Sequence, residues 1–95
     1  MRDISLLQYS ITEWADKVYP NRTVQNAVTK LLEEIGEWAA SPRDPDELAD
    51  MCIVIFDIAS MLKVDIGQEI VKKMEINKAR SWRITDKGTM QHVEK

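Results

Sequence analysis

Five carboxylates at two helical spacings indicate the chemistry that this sequence can perform. The segment "EEIGE" contains Glu33, Glu34 and Glu37, and the segment "ELAD" contains Glu47 and Asp50. Residues three or four apart share one face of a helix, so each segment predicts a short acidic edge, and the two edges can face each other across a helix pair. Sites built only from oxygen ligands suit hard divalent cations, Mg²⁺ or Mn²⁺ before zinc. The spacing therefore predicts a magnesium site for phosphate chemistry.

A cationic group lies towards the C-terminus, in the segment "VKKMEINKARSW". Lys73, Asn77 and Arg80 occur at i, i+4 and i+7 and so share one helical face. This face continues the apolar stripe of Ile66 and Ile70, which predicts that it points towards other helices. Lys and Arg bind phosphate oxygens and Asn adds a neutral donor, so the expected ligand is an anion. A solvated basic helix end and a nucleic-acid patch stay open as alternatives.

Asp57 is the one acidic residue in the middle of the most apolar segment. It follows Asp50 by seven residues and lies on nearly the same helical line. Burying a lone carboxylate costs on the order of several kcal/mol. Asp57 therefore needs a metal ion or a basic partner such as Lys30 or Arg80, unless it lies on a solvent-facing edge. It is a further candidate metal ligand.

The apolar periodicity predicts four helices and no strand. The helices extend over about residues 3 or 5 to 18, 21 or 23 to 38, 45 to 64, and 65 to 82. Ser5 and Gln8 are expected to form a capping box in the first helix, and Asp44 and Asp65 to cap the third and fourth. Residues 41–46 are predicted as a turn, and residues 82–95 as a polar tail with a turn at residues 86–88. "MCIVIF" is rich in β-branched residues, but the apolar run continues through "DIASML", which favours a buried helix.

The length predicts a single domain over residues 1–95, and the four predicted helices make it all-α. A chain of 95 residues buries only a modest core, yet 44% of its residues are apolar, so we expect a four-helix bundle completed by oligomerisation. A net charge of −3 gives no general attraction to nucleic acid or to an anionic membrane. The longest apolar run is too short to span a bilayer, and the single Cys52 cannot form an intrachain disulfide. A soluble protein of a reducing cytoplasm fits these properties.

The two motifs together resemble those of a known superfamily. "EEIGE" with "ELAD" is similar to the E-E-x-x-E…E-x-x-D signature of the all-α nucleoside triphosphate pyrophosphohydrolases, the MazG and dimeric dUTPase superfamily. "KMEINKARSW" is similar to the K-x-x-x-N-x-x-R-x-W element of that superfamily. The segments "SPRDPDELAD", "FDIA" and "RSW…DKG…H" most resemble the phage dATP/dGTP diphosphohydrolases of the MazZ type. The resemblance covers most of residues 5–92.

The resemblance implies a MazG-like domain that converts a nucleoside triphosphate and water to the monophosphate and pyrophosphate, by attack at the α-phosphorus. Matching of motif positions assigns the roles: Glu34, Glu37, Glu47 and Asp50 hold Mg²⁺ or Mn²⁺, Glu33 is the base or orients the water, and Lys73, Asn77 and Arg80 contact the phosphates. Asp57 binds an additional metal ion or orients a ligand. The resemblance also implies a dimer or tetramer and a purine substrate, dGTP, GTP or dATP, used for modified-purine synthesis in the host cytoplasm of a phage.

Base recognition is not determined by these motifs. Trp14, Trp38 and Trp82 can each stack on a base, although aromatic residues at helical spacing are more often part of a core. A house-cleaning or dUTP-type pyrophosphatase stays open as an alternative substrate class. A non-catalytic helical module whose acidic face binds a basic partner is an alternative of another kind. Only an enzyme would release pyrophosphate from a dNTP with Mg²⁺.

Overall fold

The computed structural model describes residues 2–40 and 43–93, and it is dominated by four helices. In chain order the elements are α1 (Arg2–Val18), α2 (Val24–Ala40), α3 (Pro45–Met61), α4 (Ile66–Ala79), β1 (Ser81–Ile84) and β2 (Met90–Val93). The predicted all-α fold class is confirmed, and so is the helical assignment of "MCIVIF". In the predicted turn between α2 and α3, Ser41 and Pro42 lie outside the described residues. No helix in the described ranges is both long and apolar enough to cross a membrane.

The third and fourth helices begin at the predicted caps. The carboxylate of Asp44 accepts the backbone N–H of Asp46 at 3.0 Å, and Pro45 takes the first helical position, where its missing N–H costs nothing. The carboxylate of Asp65 accepts the N–H of Gln68 at 3.2 Å. This bond, with a second from the Ser5 hydroxyl at 2.8 Å, holds the pKa of Asp65 below its ordinary value of 3.8.

Both of these helices end earlier than predicted. Helix α3 ends at Met61 because Leu62 leaves helical geometry and Lys63 adopts a left-handed backbone with φ of 62°. Helix α4 ends at Ala79, where Arg80 turns to an extended conformation with ψ of 155°. The chain after Arg80 is therefore available for another kind of structure.

The C-terminal segment is a β-hairpin, so the prediction of a polar tail without strands was wrong. Strands β1 and β2 pair antiparallel, with Trp82 opposite His92 and Ile84 opposite Met90. The predicted turn at residues 86–88 joins them, and Gly88 has the positive φ of 77° that a glycine adopts without strain. The strands escaped prediction because each is only four residues long and β1 follows the helical pattern of α4 without a break.

Helix α3 is the central element. It packs against both α1 and α2, and α4 contacts α1 and α3. The buried apolar residues are few and mostly small: Ala15, Met51 and Ala59. The described helices therefore share a thin core, and most of their large apolar side chains keep substantial exposure.

Gln8 joins three helices at one buried point. Its amide nitrogen donates to the hydroxyl of Ser60 at 3.0 Å and to the backbone carbonyl of Val64 at 2.8 Å, and its amide oxygen accepts the N–H of Ile66 at 3.0 Å. Because Ser5 bonds to Asp65 and Gln8 to the α3–α4 turn, the predicted capping box of Ser5 and Gln8 is wrong. Helix α1 begins before both residues, and their side chains instead fix where α4 starts.

Replacement of Gln8 by Met tests this junction. Methionine keeps the length of the side chain but leaves the Val64 carbonyl and the Ile66 N–H without their partner, so we expect a loss of about 1–3 kcal/mol in the free energy of unfolding. Urea denaturation at fixed protein concentration measures it. Gln25→Met, at an exposed position of α2, is the control and should change stability by less than ~0.5 kcal/mol. Equal stability of the two variants would contradict the role of Gln8.

Candidate active site on α2 and α3

The α2–α3 pair is held at one end by a buried ion pair. Arg22, just before α2, contacts Asp57 of α3 through two bonds, Nε to Oδ2 at 2.6 Å and Nη2 to Oδ1 at 2.7 Å. The two side chains are only 9% and 10% exposed. A bidentate guanidinium–carboxylate contact fixes both distance and orientation. The start of α2 is therefore fixed against the C-terminal half of α3.

The other end of the helix pair is closed by Trp38 and Asp44. The indole Nε1 of Trp38 donates to the backbone carbonyl of Asp44 at 3.2 Å, and the guanidinium carbon of Arg43 lies 5.8 Å from the centre of the Trp38 ring. Trp38 directly follows Glu37, and Asp44 precedes Glu47 by three residues. This contact brings the acidic end of α2 to the acidic start of α3.

The five carboxylates at this end differ in exposure. Glu34 and Glu47 are half-buried, and the Glu34 side chain is 14% exposed. Glu33, Glu37 and Asp50 are exposed. We refer to the five as the acidic edge.

Lys30 supplies a cation to the acidic edge. Its ammonium lies 3.0 Å from Oε1 of Glu34, one helical turn away. The hydrogen bond to Glu34, followed by the charges of Glu34, Glu33 and Glu37, raises the pKa of Lys30 above its ordinary value. Lys30 thus places a positive charge beside Glu34 at the acidic edge.

The acidic edge has the ligand atoms and the position that a Mg²⁺ or Mn²⁺ site requires. Every donor is a carboxylate oxygen, the donors come from two helices closed against each other, and Lys30 already occupies the position of a counter-cation. Within residues 2–40 and 43–93, no three acidic, His or Cys side chains already converge as a metal site. Convergence would require rotamer changes, which the exposed members of the edge can make.

Asp57, predicted as a further metal ligand, is instead occupied by Arg22. Its partner is neither Lys30 nor Arg80, the two residues expected from the sequence. The same guanidinium also contacts Asp16 at 2.9 Å and the backbone carbonyl of Tyr19 at 3.3 Å. The bonds to Asp57 hold the pKa of Arg22 above its ordinary value, so the guanidinium stays charged. Sequence reasoning missed Arg22 because a single basic residue in a turn has no periodic relation to its partner.

The cationic group on α4 does not meet the acidic edge within the described chain. Lys73 and Arg80 are exposed, and neither forms an ion pair with a described residue. Asn77 is half-buried, and its Oδ1 is buried without a hydrogen-bond partner. Of the three residues expected to point into the bundle, only Asn77 is partly buried.

The three tryptophans have different surroundings. Trp38 bonds to Asp44 as described, and Nε1 of Trp82 donates to the carbonyl of Asn77 at 2.8 Å, so both stabilise helix ends. Trp14 lines an apolar cleft of about 410 Å³ between α1, α2 and α3. Lys30 lines the same cleft, which therefore opens beside the acidic edge.

Substitution of Asp57 separates a structural role from metal binding. Asp57→Asn leaves Arg22 buried without its counter-charge, so we expect a loss of about 3–5 kcal/mol in the free energy of unfolding. The affinity for Mn²⁺ should stay within a factor of about two of the wild-type value, because the proposed ligands of the acidic edge are intact. The titration is done at a temperature where the variant is folded. The double variant Arg22→Met with Asp57→Leu should be more stable than Asp57→Asn. A large loss of Mn²⁺ affinity in Asp57→Asn would return Asp57 to the metal site.

Comparisons with known proteins agree with this fold. Residues 7–95 match the family model of the dATP/dGTP pyrophosphohydrolases. The chain is 44% identical over 92 residues to a dATP/dGTP diphosphohydrolase of Cyanophage S-2L, covering 95% of this chain and 88% of that protein. It is 41% identical over 91 residues to a dATP/dGTP diphosphohydrolase of Salmonella phage PMBT28, covering 95% of this chain but 31% of that longer protein.

A solved structure is also similar over nearly the whole chain. It is the Cyanophage S-2L MazG-like pyrophosphohydrolase bound to dGDP and three catalytic Mn²⁺ ions per active site. The TM-score is 0.86 at 44% identity, covering 96% of this chain and 97% of that one. The resemblance inferred from the two motifs is confirmed. With its four helices and its acidic edge on α2 and α3, this chain belongs to the dATP/dGTP pyrophosphohydrolase family and has the MazG-like fold.

Proposed function

We propose that the protein hydrolyses dATP and dGTP, with GTP as a further purine candidate, to the monophosphate and pyrophosphate, using Mg²⁺ or Mn²⁺. The acidic edge on two mutually fixed helices carries this proposal. The family membership and the substrates named for its relatives support it. In this proposal residues 1–95 are one catalytic domain.

The acidic edge divides the catalytic work. Glu34, Glu37, Glu47 and Asp50 hold the divalent metal, while Asp57 is left to its ion pair with Arg22. When bound, the metal neutralises phosphate charge and lowers the pKa of the attacking water. The exposed Glu33, next to these ligands on α2, orients that water and accepts its proton. To hold the metal, Glu34 would give up its ion pair with Lys30.

The phosphates and the base occupy different surfaces. Lys73 and Arg80 neutralise the charge that develops on the leaving pyrophosphate, and Asn77 positions it. The purine lies in the apolar cleft, against the 58%-exposed Trp14, because the cleft joins the acidic edge at Lys30. This position gives a planar ring an apolar contact next to the metal-bound phosphates.

We place the activity in the cytoplasm of a host cell, since the curated relatives are phage proteins. There, removal of pyrophosphate from dGTP or dATP would supply monophosphates for the synthesis of modified purine nucleotides.

Product analysis with a Glu33 variant tests the reaction. Incubation of dGTP with enzyme and Mg²⁺ should give dGMP and pyrophosphate by phosphorus NMR, with dATP and dUTP as comparison substrates. Glu33→Gln should lower kcat by about 10²- to 10⁴-fold, the range of a general base, with Mn²⁺ affinity largely retained. Glu34→Gln should lose metal affinity, and Glu13→Gln on α1 should act as wild type. Primary products of dGDP and orthophosphate would contradict the reaction, and equal metal loss in Glu33→Gln and Glu34→Gln would contradict the roles.

The protein self-associates in this proposal, as a dimer or tetramer. Its accessible surface is 7496 Å², whereas a folded monomer of 11.0 kDa has about 5,600 Å². The excess of about 1,900 Å² lies within the range of area that each subunit of an obligate dimer covers. Helix α3 contributes apolar side chains to this surface, including Leu48 and Ile55, which are 48% and 40% exposed.

A charge on α3 tests this association. Ile55→Asp should shift the mass measured by light scattering at micromolar concentration from oligomer to monomer, or unfold the chain, because a buried unpaired carboxylate is strongly destabilising. Ser10→Asp, at an exposed polar position of α1, is the control and should leave mass and melting temperature unchanged. A wild-type monomer, or an Ile55→Asp protein with wild-type mass and melting temperature, would contradict association through α3.

A further inference from the structure

Lys30 lies where two parts of the candidate site meet. Its ammonium is 3.0 Å from Oε1 of Glu34 on the acidic edge, and its side chain also lines the apolar cleft together with Trp14. The side chain of Lys30 is 61% exposed, whereas that of Glu34 is only 14% exposed. Lysine carries its charge on a flexible four-carbon stem. Of the two partners, Lys30 is therefore the one that is free to move.

The ion pair between Lys30 and Glu34 is of a weak kind. Both residues are on α2, four apart, and the lysine comes first. This is the less favourable order, because the helix dipole favours a negative charge nearer to the N-terminus. The exposed ammonium is also screened by solvent. The charges of Glu33 and Glu37 add to the attraction of Glu34, so Lys30 stays beside Glu34 while the edge keeps its negative charge.

A divalent cation at the acidic edge reverses this balance. Glu34 is one of the proposed metal ligands, and an oxygen that binds the metal is no longer an equal partner for Lys30. The added positive charge also repels the ammonium. Metal binding should therefore release Lys30 from Glu34.

The released ammonium has no free carboxylate in the cleft. Among the described residues that line the cleft, Asp57 is the only acidic one, and both of its oxygens already accept hydrogen bonds from Arg22. The neighbouring lining residues include the apolar Trp14 and Ala27. The best partner for the ammonium at this place is therefore an anion that a ligand supplies.

We propose that Lys30 couples metal binding to nucleotide binding: it is the counter-cation of Glu34 in the metal-free protein, and it moves to a phosphate oxygen of the nucleotide when the metal is bound. A lysine ammonium is a strong donor to phosphate oxygens. The proposed function places the purine in the cleft that Lys30 lines and the phosphates at the acidic edge, so Lys30 stands between the two. The inference rests on the proposed function for the identity of the nucleotide.

The coupling makes the metal and the nucleotide favour each other. Without nucleotide, Lys30 competes with the metal for Glu34, so the metal affinity is lower than the carboxylates alone would give. With nucleotide, the displaced ammonium gains a phosphate contact. Each ligand then strengthens the binding of the other by the same factor.

Replacement of Lys30 by Met tests the coupling, because methionine keeps the apolar part of the side chain and removes its charge. Without nucleotide, Lys30→Met should bind Mn²⁺ about two- to tenfold more tightly than wild type, as measured by electron paramagnetic resonance of the free ion. With Mn²⁺ saturating, it should bind the α,β-imido analogue of dGTP at least about tenfold more weakly, since one charge-assisted hydrogen bond is lost. Titration calorimetry measures the second affinity, and the analogue resists cleavage at the α–β position.

Two further variants keep this result specific. Lys30→Arg keeps the positive charge and should stay within about threefold of wild type in both measurements. Lys17→Met removes an exposed lysine from α1 and should change neither affinity. The opposite direction of the two shifts in Lys30→Met is the signature of the coupling, because a merely structural role would weaken both affinities.

Three results would overturn the coupling: an unchanged Mn²⁺ affinity in Lys30→Met, an unchanged affinity for the analogue, or a loss of both affinities. If Lys30→Met shows the opposite shifts while the wild-type protein releases no pyrophosphate from dGTP, the proposed function fails and the coupling stands. If the wild type releases pyrophosphate and Lys30→Met has wild-type affinities, the coupling alone fails.

Discussion

The buried contact between Arg22 and Asp57 fixes the geometry on which the candidate site depends. It joins the start of α2 to the C-terminal half of α3, and the Trp38–Asp44 hydrogen bond closes the opposite end of the same helix pair. These two contacts hold together the helices that carry the carboxylates. Burying this ion pair costs desolvation free energy. Each oxygen of Asp57 accepts a hydrogen bond from Arg22, and this bidentate geometry offsets part of that cost.

The carboxylates of the acidic edge are suited to binding a metal ion, but their repulsion lowers the stability of the metal-free fold. Five carboxylates at one end of two packed helices repel one another, and the described chain compensates this charge locally only through Lys30. The thin core adds little to offset the repulsion, since Ala15, Met51 and Ala59 are the only buried apolar residues described. In the proposed function, metal binding would neutralise the edge and self-association would cover apolar surface, so both would stabilise this state. Stability and activity are therefore expected to depend on the same assembly.

Local signals in the sequence were sufficient to predict the four helices and the family, but not the hairpin or the long-range contacts. Asp44 and Asp65 cap α3 and α4 as predicted, because capping depends on residues within one turn. Arg22 and Gln8 were missed as long-range partners because their contacts span 35 residues to Asp57 and 56 to Val64, and no periodic pattern encodes them. The hairpin was missed because Trp82 and Ile84 extend the apolar pattern of α4. The turn at residues 86–88 was predicted, but the turn alone did not indicate strands on either side of it. The helical spacing predicted which carboxylates share a helix. It did not predict the Trp38–Asp44 hydrogen bond that brings the two helices together at the acidic edge.

The position of attack on the triphosphate tests the proposed arrangement most directly. Hydrolysis at the α-phosphorus and at the β-phosphorus gives the same two products, but they differ in which product receives the oxygen of water. With the α-phosphate at the acidic edge and the leaving pyrophosphate at Lys73 and Arg80, hydrolysis of dGTP in ¹⁸O-labelled water should place the heavy oxygen in dGMP, as measured by mass spectrometry. Heavy oxygen in pyrophosphate, with unlabelled dGMP, would contradict this orientation and the roles assigned to both charged groups.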